Sequence, residues 1–559
     1  MCGIWTFIDL INTNIINFDK LIQSFMNLKH RGPDLSNFQI IKNNIIIGFH
    51  RLGIMDLTFH ANQPFIIEDS LRTIVFVCNG EIYNFKELIT NFNLPITNNS
   101  DCMTIPQLYI KFTKEKSLKD FINLFENTIK GEFSFILLEF DKLQNLSNIL
   151  IGRDQIGIRP LYYKKIVNNS TNLLFSSEIK GMDFIDSNDI EEFEPGTIMN
   201  IKIDNFLQKC EYQTYNFKLI YNIFSSNCKH EDYYLDNIRK TVINSVKLRL
   251  MSDRPIAFLL SGGVDSSLVA SISARLLNST INTYCCGMSK GTDLIYAKLV
   301  SDHIKSNHKE VFFTEEEGLN AIRDVIYTTE TWDTTTIRAS VGQYLVCKYI
   351  GLNTDAKVVM VGEGPDEVCS SYLFNYYAPM IGEELHETAK EYVKNIHMYD
   401  GKRADRCISK WGLEGRIPLL DPEFIKAYWE IPTELRHPKY KGIEKWWLRK
   451  AFEPTNILPE SVLWRKKEAF SDGVSNKTKS WFEIINDFIK TQVSEDEFKN
   501  DNKFNAPTLE AYYYKKIFIE FFGEKRLNII PDYWQPKWIN KSNKYIDPSA
   551  RILDIYNNN

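Results

Sequence analysis

Short apolar runs separated by turn residues make up most of the first two hundred positions. The runs Ile45–Phe49, Thr73–Cys78 and Phe133–Phe140 are rich in β-branched and aromatic residues, which favours strands. Two further segments, Asp19–Leu28 and Met103–Thr113, have their apolar positions at helical spacing. This pattern predicts stacked sheets with helices outside them.

In the second half of the chain, longer helices alternate with short strands. The segment Asp232–Arg249 has the pattern of an amphipathic helix. The strand Ile256–Leu260 leads through a glycine-rich turn into a helix over Val264–Leu277, and the strand Lys357–Val361 precedes another glycine turn. Repeated strand–turn–helix order favours an α/β domain with a parallel sheet. The polar, weakly periodic stretch Asn205–Lys229 is the predicted domain boundary.

Composition and charge narrow the class of protein. A chain of 559 residues is long enough for two or three domains, and 66 Lys and Arg against 71 Asp and Glu give a net charge of −5. That balance predicts no nucleic-acid or membrane-surface partner. No apolar run reaches the roughly 18–20 residues of a membrane span, and the amino terminus lacks a secretory pattern. The 10 cysteines are scattered without a CxxC pair, which predicts a reduced, cytoplasmic protein without a zinc site.

Cys2 is the first candidate for chemistry. Removal of Met1 would leave Cys2 with a free α-amine, whose ordinary pKa is about 7.7–8.0, beside its own thiol. Such an amine can act as the base for the thiol, so no histidine is needed. Taken alone, a cysteine near the chain start is more often accidental, and the interpretation depends on the residues that follow.

Several motifs follow Cys2 within the first 210 residues. In chain order they are His30-Arg31-Gly32-Pro33-Asp34, Arg51-Leu52, Asn79-Gly80-Glu81-Ile82-Tyr83-Asn84, Ser100-Asp101 and Gly152-Arg153-Asp154-Gln155-Ile156-Gly157-Ile158-Arg159-Pro160-Leu161-Tyr162. With Cys2, this set resembles the class II glutamine amidotransferases, whose glutaminase domain has the N-terminal-nucleophile αββα sandwich. One departure is Met103, where the family often has an acidic residue.

The resemblance implies a role for each residue of a glutaminase site. Cys2 would be the nucleophile, and the Asn79 side-chain amide with the Gly80 N–H would stabilise the tetrahedral oxyanion. Arg51 would bind the glutamine carboxylate and Asp101 the ammonium, since these charges complement the two ends of the substrate. The remaining predicted pocket residues are Leu52, Gly53, Ile54, Met55 and Glu81. A surface salt bridge for Arg51 and a helix cap for Asp101 are the structural alternatives.

A second motif, Leu259-Leu260-Ser261-Gly262-Gly263-Val264-Asp265-Ser266-Ser267, follows a strand and opens a helix. Backbone N–H groups at a helix start, together with serine hydroxyls, form an anion site. The loop lacks the lysine of a Walker A motif. It resembles the SGGxDS loop of ATP pyrophosphatases, which hold the β- and γ-phosphates of ATP.

Later motifs resemble one branch of that group, the asparagine synthetases. They are Glu330–Ser340, Gly362-Glu363-Gly364-Pro365-Asp366-Glu367, His397–Asp400, Trp411–Pro418, Arg465–Val474 and Asp547–Arg551. The resemblance implies a β-aspartyl-AMP intermediate that is attacked by ammonia channelled from glutamine. It also implies ATP as co-substrate, Mg²⁺ to neutralise pyrophosphate charge, and a homodimer.

The same resemblance assigns the synthetase site. The ATP and pyrophosphate residues would be Leu260, Ser261, Gly262, Gly263, Asp265, Ser266, Ser267, Cys286, Val361, Gly362 and Lys467. The aspartate or intermediate residues would be Thr335, Thr336, Arg338 and Glu363. Arg338 with Lys467 would supply positive charge near the phosphates, and Glu363 would take a proton from ammonia. Asp265 and Asp366 are the candidate Mg²⁺ ligands.

We therefore predict an α/β protein with a glutaminase domain over residues 2–212 and a synthetase domain over residues 230–559, the latter like the adenine-nucleotide α-hydrolases. Two substitutions distinguish its Val361–Glu367 loop from the family pattern: Val361 lacks the usual hydroxyl, and Pro365 lacks a backbone N–H. A synthetase for another carboxylate, such as a β-lactam synthetase, and a non-enzymatic homologue are the alternative hypotheses. The intact Cys2, Arg51 and Asp101 argue against the β-lactam type, which does not use glutamine.

Overall fold

The computed structural model describes most of the chain, and the chain divides into two compact units. The described residues are 1–10, 17–42, 44–96, 98–166, 172–185, 189–204, 209–218, 223, 229–289, 291–467, 473–475, 479–501, 505–529 and 533–538. The first unit contains Met1–Leu219, Met251–Arg254 and Ser409–Glu414. The second contains Ile220–Leu250, Pro255–Ile408 and Gly415–Asn559. The predicted motif Asp547–Arg551 and residues 468–472 lie outside the described residues.

Two antiparallel sheets form the centre of the first unit. Their strands are β1 Gly3–Asp9, β2 Leu35–Lys42, β3 Ile45–Arg51, β4 Phe65–Glu68, β5 Thr73–Ile82, β6 Gly131–Phe140, β7 Leu146–Arg153, β8 Tyr162–Lys164, β9 Asn172–Ser176, β10 Ile190–Glu192, β11 Thr197–Asp204 and β12 Lys209–Asn216. One sheet has the order β10-β8-β9-β1-β3-β2, and the other has the order β12-β11-β7-β6-β5-β4. The strands predicted over 45–49, 73–78 and 133–140 are confirmed as parts of β3, β5 and β6.

Successive side chains of β5 point alternately into two different hydrophobic cores. Val75 and Val77 belong to a core shared with residues of both sheets, whereas Phe76 and Cys78 belong to a second core on the helix side. Because successive side chains of a strand point to opposite faces, a strand buried on both faces is apolar throughout. The Thr73–Cys78 run has this composition since β5 is covered on each face.

Helices cover the outer faces of these sheets. They are Phe18–Met26, Phe85–Phe92, Thr104–Glu115 and Leu118–Asn127. The two predicted helices are confirmed with shifted ends; the second begins at Thr104 because Asp101–Met103 forms a separate 3-10 turn. The resulting αββα order confirms the predicted fold class of this part of the chain.

The strand β12 lies within the stretch predicted as a domain boundary. It pairs with β11 along its whole length, from Asp204 with Lys209 to Thr197 with Asn216. Residue 212, the predicted end of the first domain, falls inside this strand. β12 is the edge strand of its sheet, and most of its side chains are exposed and polar. Such a strand lacks the run of apolar residues by which a buried strand is recognised in a sequence.

The second unit contains a mainly parallel sheet and many helices. Its strands are β13 Ile256–Leu259, β14 Asn282–Gly287, β15 Asn307–Phe312, β16 Val358–Met360 and β17 Glu414–Arg416, in the order β15-β14-β13-β16-β17. The helices are Glu231–Arg249, Val264–Leu277, Thr292–Ile304, Glu315–Thr329, Thr334–Asn353, Pro365–Val368, Glu384–Asn395, Asp400–Ser409, Pro422–Trp429, Thr433–Arg436, Trp446–Phe452, Glu460–Leu463, Trp481–Gln492, Glu495–Asn500 and Leu509–Phe522. Among the described residues, none of these helices is long and apolar enough to cross a membrane.

Parallel pairing places the two glycine loops side by side. The central strands β13 and β16 are neighbours, with Ile256 opposite Val358 and Phe258 opposite Met360. Their carboxyl ends therefore lie at the same edge of the sheet, where ligands of open α/β sheets bind. Both predicted phosphate-side loops start at this edge.

Candidate active sites

Cys2 lies immediately before β1, and backbone groups surround its thiol. The Leu52 N–H donates to Cys2 Sγ at 3.5 Å, and Sγ lies 3.7 Å from the Leu52 carbonyl oxygen. Arg31 Nε donates to the Cys2 carbonyl oxygen at 3.0 Å. These contacts bring two of the predicted motifs, through Arg31 and Leu52, against Cys2.

Met1 occupies a buried position with its amine next to Leu413. The amine donates to the Leu413 carbonyl oxygen at 3.1 Å, and Met1 is 1% exposed. Burial lowers the pKa of this amine to about 5 and raises the pKa of the Cys2 thiol to about 11. With Met1 attached, the thiol therefore stays neutral near pH 7, and the Cys2 nitrogen is an amide that cannot serve as a base.

Asn79 presents an unpaired amide in the interior of the first unit. The residue is fully buried, and neither its Nδ2 nor its Oδ1 has a hydrogen-bond partner among the described residues. A buried amide without a partner costs about 1–3 kcal/mol, so a polar ligand is the expected partner. The next residue, Gly80, has φ +154°, and a Cβ there would lie 2.2 Å from the Glu132 carbonyl oxygen. Only glycine fits at this position.

The residues predicted to bind glutamine come from three chain segments, two of which are joined by direct contacts. Asp101 accepts a hydrogen bond from the Ile82 N–H at 2.6 Å, and the adjacent Cys102 thiol lies 3.3 Å from the Gly80 carbonyl oxygen. Of the predicted pocket residues, Arg51, Leu52, Gly53, Ile54 and Glu81 are buried and Met55 is half-buried.

The Arg51 guanidinium is positioned by the loop that follows β3. It donates to the Thr58 carbonyl oxygen at 2.9 Å, to the Asn62 side chain and to the Asp56 carbonyl oxygen. These acceptors are neutral, so the positive charge of this nearly buried side chain is available to an anionic ligand.

A cavity at the carboxyl edge of the second sheet collects most of the predicted ATP residues. Its wall includes Leu260, Ser261, Gly263, Asp265, Ser266, Cys286, Gly362, Glu363, Asp366 and Lys467. Gly262, Ser267 and Val361 are not part of that wall. Gly262 has φ +71°, and a Cβ there would lie 2.4 Å from Tyr296 Cβ, so this glycine is needed for the turn.

The two unusual residues of the Val361–Glu367 loop are accommodated by local structure. Val361 is 1% exposed and its N–H bonds to the Arg416 carbonyl oxygen, so its side chain lies in the core and not on the nucleotide side. Pro365 is the first residue of a short helix, where a missing N–H breaks no helical hydrogen bond. The expected loss of contacts from these substitutions is therefore small.

A cation that the sequence did not point to lies between the two candidate metal ligands. Lys445 Nζ bonds to the Asp265 carboxylate and lies 2.6 Å from Asp366 Oδ1, while Lys467 Nζ lies 2.5 Å from Asp366 Oδ2. Burial alone would raise the pKa of Asp366, but the two ammonium groups outweigh it and hold that pKa well below its ordinary value. The carboxylates of Asp265 and Asp366 therefore converge on the Lys445 ammonium.

Glu363, the predicted base, has two partners of different kinds. Its Oε1 accepts from Gln343 Nε2 at 2.9 Å and from Arg403 Nη1 at 3.1 Å. Burial raises the pKa of Glu363, and the Arg403 charge opposes that shift. Neither partner was identified from the sequence, although Arg403 lies three residues after the Asp400 of a recognised motif.

The predicted aspartate residues divide between a neighbouring cavity and the core. Thr335 and Arg338 line the second cavity, whereas Thr336 is buried, with its N–H donating to Asp333 at 2.8 Å. Arg338 Nε and Nη2 both bond to the Glu510 carboxylate. The Arg338 charge that we expected near the phosphates is therefore balanced by the Glu510 carboxylate.

Comparisons with known proteins cover both units. The glutamine amidotransferase domain family matches residues 1–192, and the asparagine synthase family matches residues 237–392 and 381–538. The glutamine-hydrolysing asparagine synthetase of Rattus norvegicus is 37% identical over 583 aligned residues, covering 100% of this chain and 99% of the relative. The Homo sapiens protein of the same name is 36% identical with the same coverage.

The similarity of this chain to solved structures is weaker than its similarity to these relatives. The glutamine phosphoribosylpyrophosphate amidotransferase from B. subtilis has 17% identity and a TM-score of 0.29, covering 50% of this chain and 65% of that chain. The match to the sequence families spans more than half of the chain, and the identity to the relatives extends along all of it. This chain belongs to the glutamine-hydrolysing asparagine synthetase family.

Proposed function

We propose that this chain converts ATP, aspartate, glutamine and water into AMP, diphosphate, asparagine and glutamate. The observation that carries the proposal is the cavity at the carboxyl edge of the second sheet. It combines Ser261 and Gly263 of the glycine loop, the carboxylates of Asp265 and Asp366, the Lys467 ammonium and the Glu363 carboxylate. These are the groups needed to bind a triphosphate and to accept a proton from an attacking amine.

The glutaminase half-reaction begins with the loss of Met1. The free α-amine of Cys2 then accepts the thiol proton, and the thiolate attacks the amide carbon of glutamine. The Asn79 amide and the Gly80 N–H donate to the oxyanion. The buried Asn79 amide supports this assignment, because it has no hydrogen-bond partner among the described residues. Ammonia leaves, and water hydrolyses the thioester to glutamate. Arg51 and Asp101 hold the carboxylate and the ammonium of the substrate.

In the synthetase half-reaction, the aspartate side-chain carboxylate attacks the α-phosphorus of ATP and diphosphate leaves. Ammonia then attacks the acyl carbon of β-aspartyl-AMP, Glu363 takes a proton, and AMP leaves. Mg²⁺ neutralises charge on the departing diphosphate when it is bound. Asp265 and Asp366 would hold it, because one or two carboxylates plus substrate phosphates are the usual Mg²⁺ ligands.

The two half-reactions are assigned to residues 2–212 and 230–559. Ammonia has to pass between them inside the protein, because free ammonia in neutral water becomes protonated and loses its nucleophilic electron pair. A cytoplasmic location and a homodimer are part of this proposal, and sedimentation of the purified chain tests the dimer.

The direct test measures asparagine and AMP formed from glutamine, aspartate and ATP. We expect both products in equal amounts, and we expect Cys2→Ala to abolish glutamine-dependent synthesis while ammonium-dependent synthesis persists. Loss of both activities in Cys2→Ala would contradict the assignment of separate roles. Diphosphate release with another carboxylic acid but not with aspartate would favour a different amide synthetase.

A further inference from the structure

A nucleophile at a chain end has a structural problem that internal nucleophiles lack. Once Met1 is removed, Cys2 is attached to the protein from one side only. The first residues of a chain are poorly ordered unless other contacts tie them down. Catalysis by Cys2 therefore requires residues that fix its backbone.

The segment that follows β9 contacts this backbone through two hydrogen bonds, both at Ile4. The Ile4 N–H donates to Ser177 Oγ at 3.0 Å, and the Ser177 N–H donates to the Ile4 carbonyl oxygen at 3.0 Å. The Cys2 carbonyl oxygen is held by Arg31 Nε, also at 3.0 Å. The position of Cys2 thus depends on where the Arg31 guanidinium lies.

Glu178, next to Ser177, determines that position. It is fully buried, and its Oε1 lies 2.5 Å from Arg31 Nη1. Its Oε2 lies 2.8 Å from Lys180 Nζ and 3.3 Å from His30 Nε2. Burial lowers the pKa of His30, so at neutral pH this carboxylate balances two charged groups, Arg31 and Lys180.

The geometry of this ion pair limits the movement of the guanidinium. A planar guanidinium bonded at Nη1 to a buried carboxylate and at Nε to a carbonyl has its plane fixed by both partners. Removing the Glu178 charge would leave Arg31 and Lys180 buried without a carboxylate between them, and mutual repulsion would displace the guanidinium from the Cys2 carbonyl.

We propose that Glu178 is a positioning residue for Cys2, acting through Arg31. Ser177 contributes to the same positioning through its two hydrogen bonds to Ile4. This inference rests on the proposed glutaminase function of Cys2. Glu178 itself does not touch the thiol in the structure. It acts on the reaction by holding the nucleophile where glutamine can be attacked.

The test compares Glu178→Gln and Glu178→Asp in the full-length enzyme, with removal of Met1 verified by intact mass. The matched control is Glu192→Gln, because Glu192 pairs with Arg153 at 2.9 Å in the same unit. For Glu178→Gln we expect the kcat of glutamine hydrolysis to fall by about tenfold to a hundredfold, with KM for glutamine within about twofold, since small misplacements of a reacting group cost this much. Ammonium-dependent synthesis and Glu192→Gln activity, both measured well below the melting temperature of each variant, should stay near the wild-type values. The melting temperature of Glu178→Gln itself should fall, because Arg31 and Lys180 lose a buried anionic partner.

Two further readouts separate positioning from folding. Alkylation of Cys2 by iodoacetamide should slow in Glu178→Gln, and Glu178→Asp, which keeps the charge, should recover part of the lost kcat. A kcat of Glu178→Gln within twofold of wild type overturns the proposal. A kcat loss that is matched by loss of ammonium-dependent synthesis, or that also occurs in Glu192→Gln, overturns it as well. The Cys2→Ala variant is measured in parallel: if it still hydrolyses glutamine, the glutaminase assignment itself is wrong.

Discussion

Lys445 Nζ lies 2.6 Å from Asp366 Oδ1 and also bonds to the Asp265 carboxylate, 180 positions away in the sequence. Asp265 follows β13 and Asp366 follows β16, so one ammonium joins the two loops at the carboxyl edge of the sheet. Lys445 is 4% exposed and has φ +57°, an uncommon conformation for a residue with a side chain. Such conformations persist where the surrounding structure requires them.

Replacing Lys445 by Met should weaken the binding of ATP. The two carboxylates would then face the triphosphate without a balancing cation, and we expect the Kd for ATP without Mg²⁺ to rise at least about tenfold, or about 1.4 kcal/mol. With Mg²⁺ present the increase should be smaller, because the metal neutralises the same carboxylates. Calorimetric titration with and without Mg²⁺ measures both values. Lys450→Met, in a half-exposed pair with Glu453, is the control, and equal effects of the two variants would contradict this role.

Asn79→Ala should impair glutamine hydrolysis selectively. The buried amide has no partner among the described residues, so its removal mainly deletes an oxyanion donor. We expect kcat to fall about 10²–10³-fold with little change in KM. Steady-state assays of glutamate formation check this result, with ammonium-dependent synthesis as the internal control. A large increase in KM with unchanged kcat would indicate a substrate-binding role for Asn79.

The buried ion pair of Arg338 and Glu510 should contribute far more to stability than the exposed ion pair that Arg323 forms with Glu520, on the same helix as Glu510. Both Arg338 and Glu510 are less than 5% exposed, so Glu510→Ala leaves a buried charge without its partner. We expect a loss of about 3–5 kcal/mol in the free energy of unfolding. Glu520→Ala removes the half-exposed partner of Arg323 and should cost about 0–1 kcal/mol. Denaturant unfolding of both variants tests the contrast, and similar losses would argue against it.

His50 should make the protein less stable below neutral pH. Its ring donates from Nε2 to the Phe25 carbonyl oxygen at 2.9 Å, accepts from Ser36 at 2.8 Å, and is fully buried. Burial lowers the pKa of His50 from 6.5 to about 4. Between these values the unfolded chain binds more protons than the folded protein, so the free energy of unfolding falls as the pH falls.

From pH 7 to pH 5 we expect His50 to account for a loss of about 2 kcal/mol. Unfolding titrations at both pH values should show a smaller difference for His50→Gln than for wild type. The matched control is His60→Gln, which removes an imidazole from an exposed position. An undiminished pH dependence in His50→Gln would show that His50 is not the group responsible.

The pattern of apolar residues predicted many of the strands and helices, and continuous motifs predicted the parts of each site that lie in single segments, whereas the polar edge strand β12 was not predicted. The apolar run of β5 and the strand–glycine–helix order around Ser261 predict local structure, because the periodicity of apolar residues follows from which faces are buried. The motifs also pointed to Cys2, Asn79 and Glu363. Their local patterns are visible without any knowledge of distant contacts.

The ion-pair and hydrogen-bond partners of these residues could be identified from the folded structure alone. Lys445 beside Asp265, and Glu510 beside Arg338, are each more than 170 positions from their partners, and no local pattern predicts such a contact. Glu178 acts on Cys2 through Arg31, which requires three segments to pack together. Charges buried by packing must be balanced where they meet, and the folded arrangement alone determines where that is.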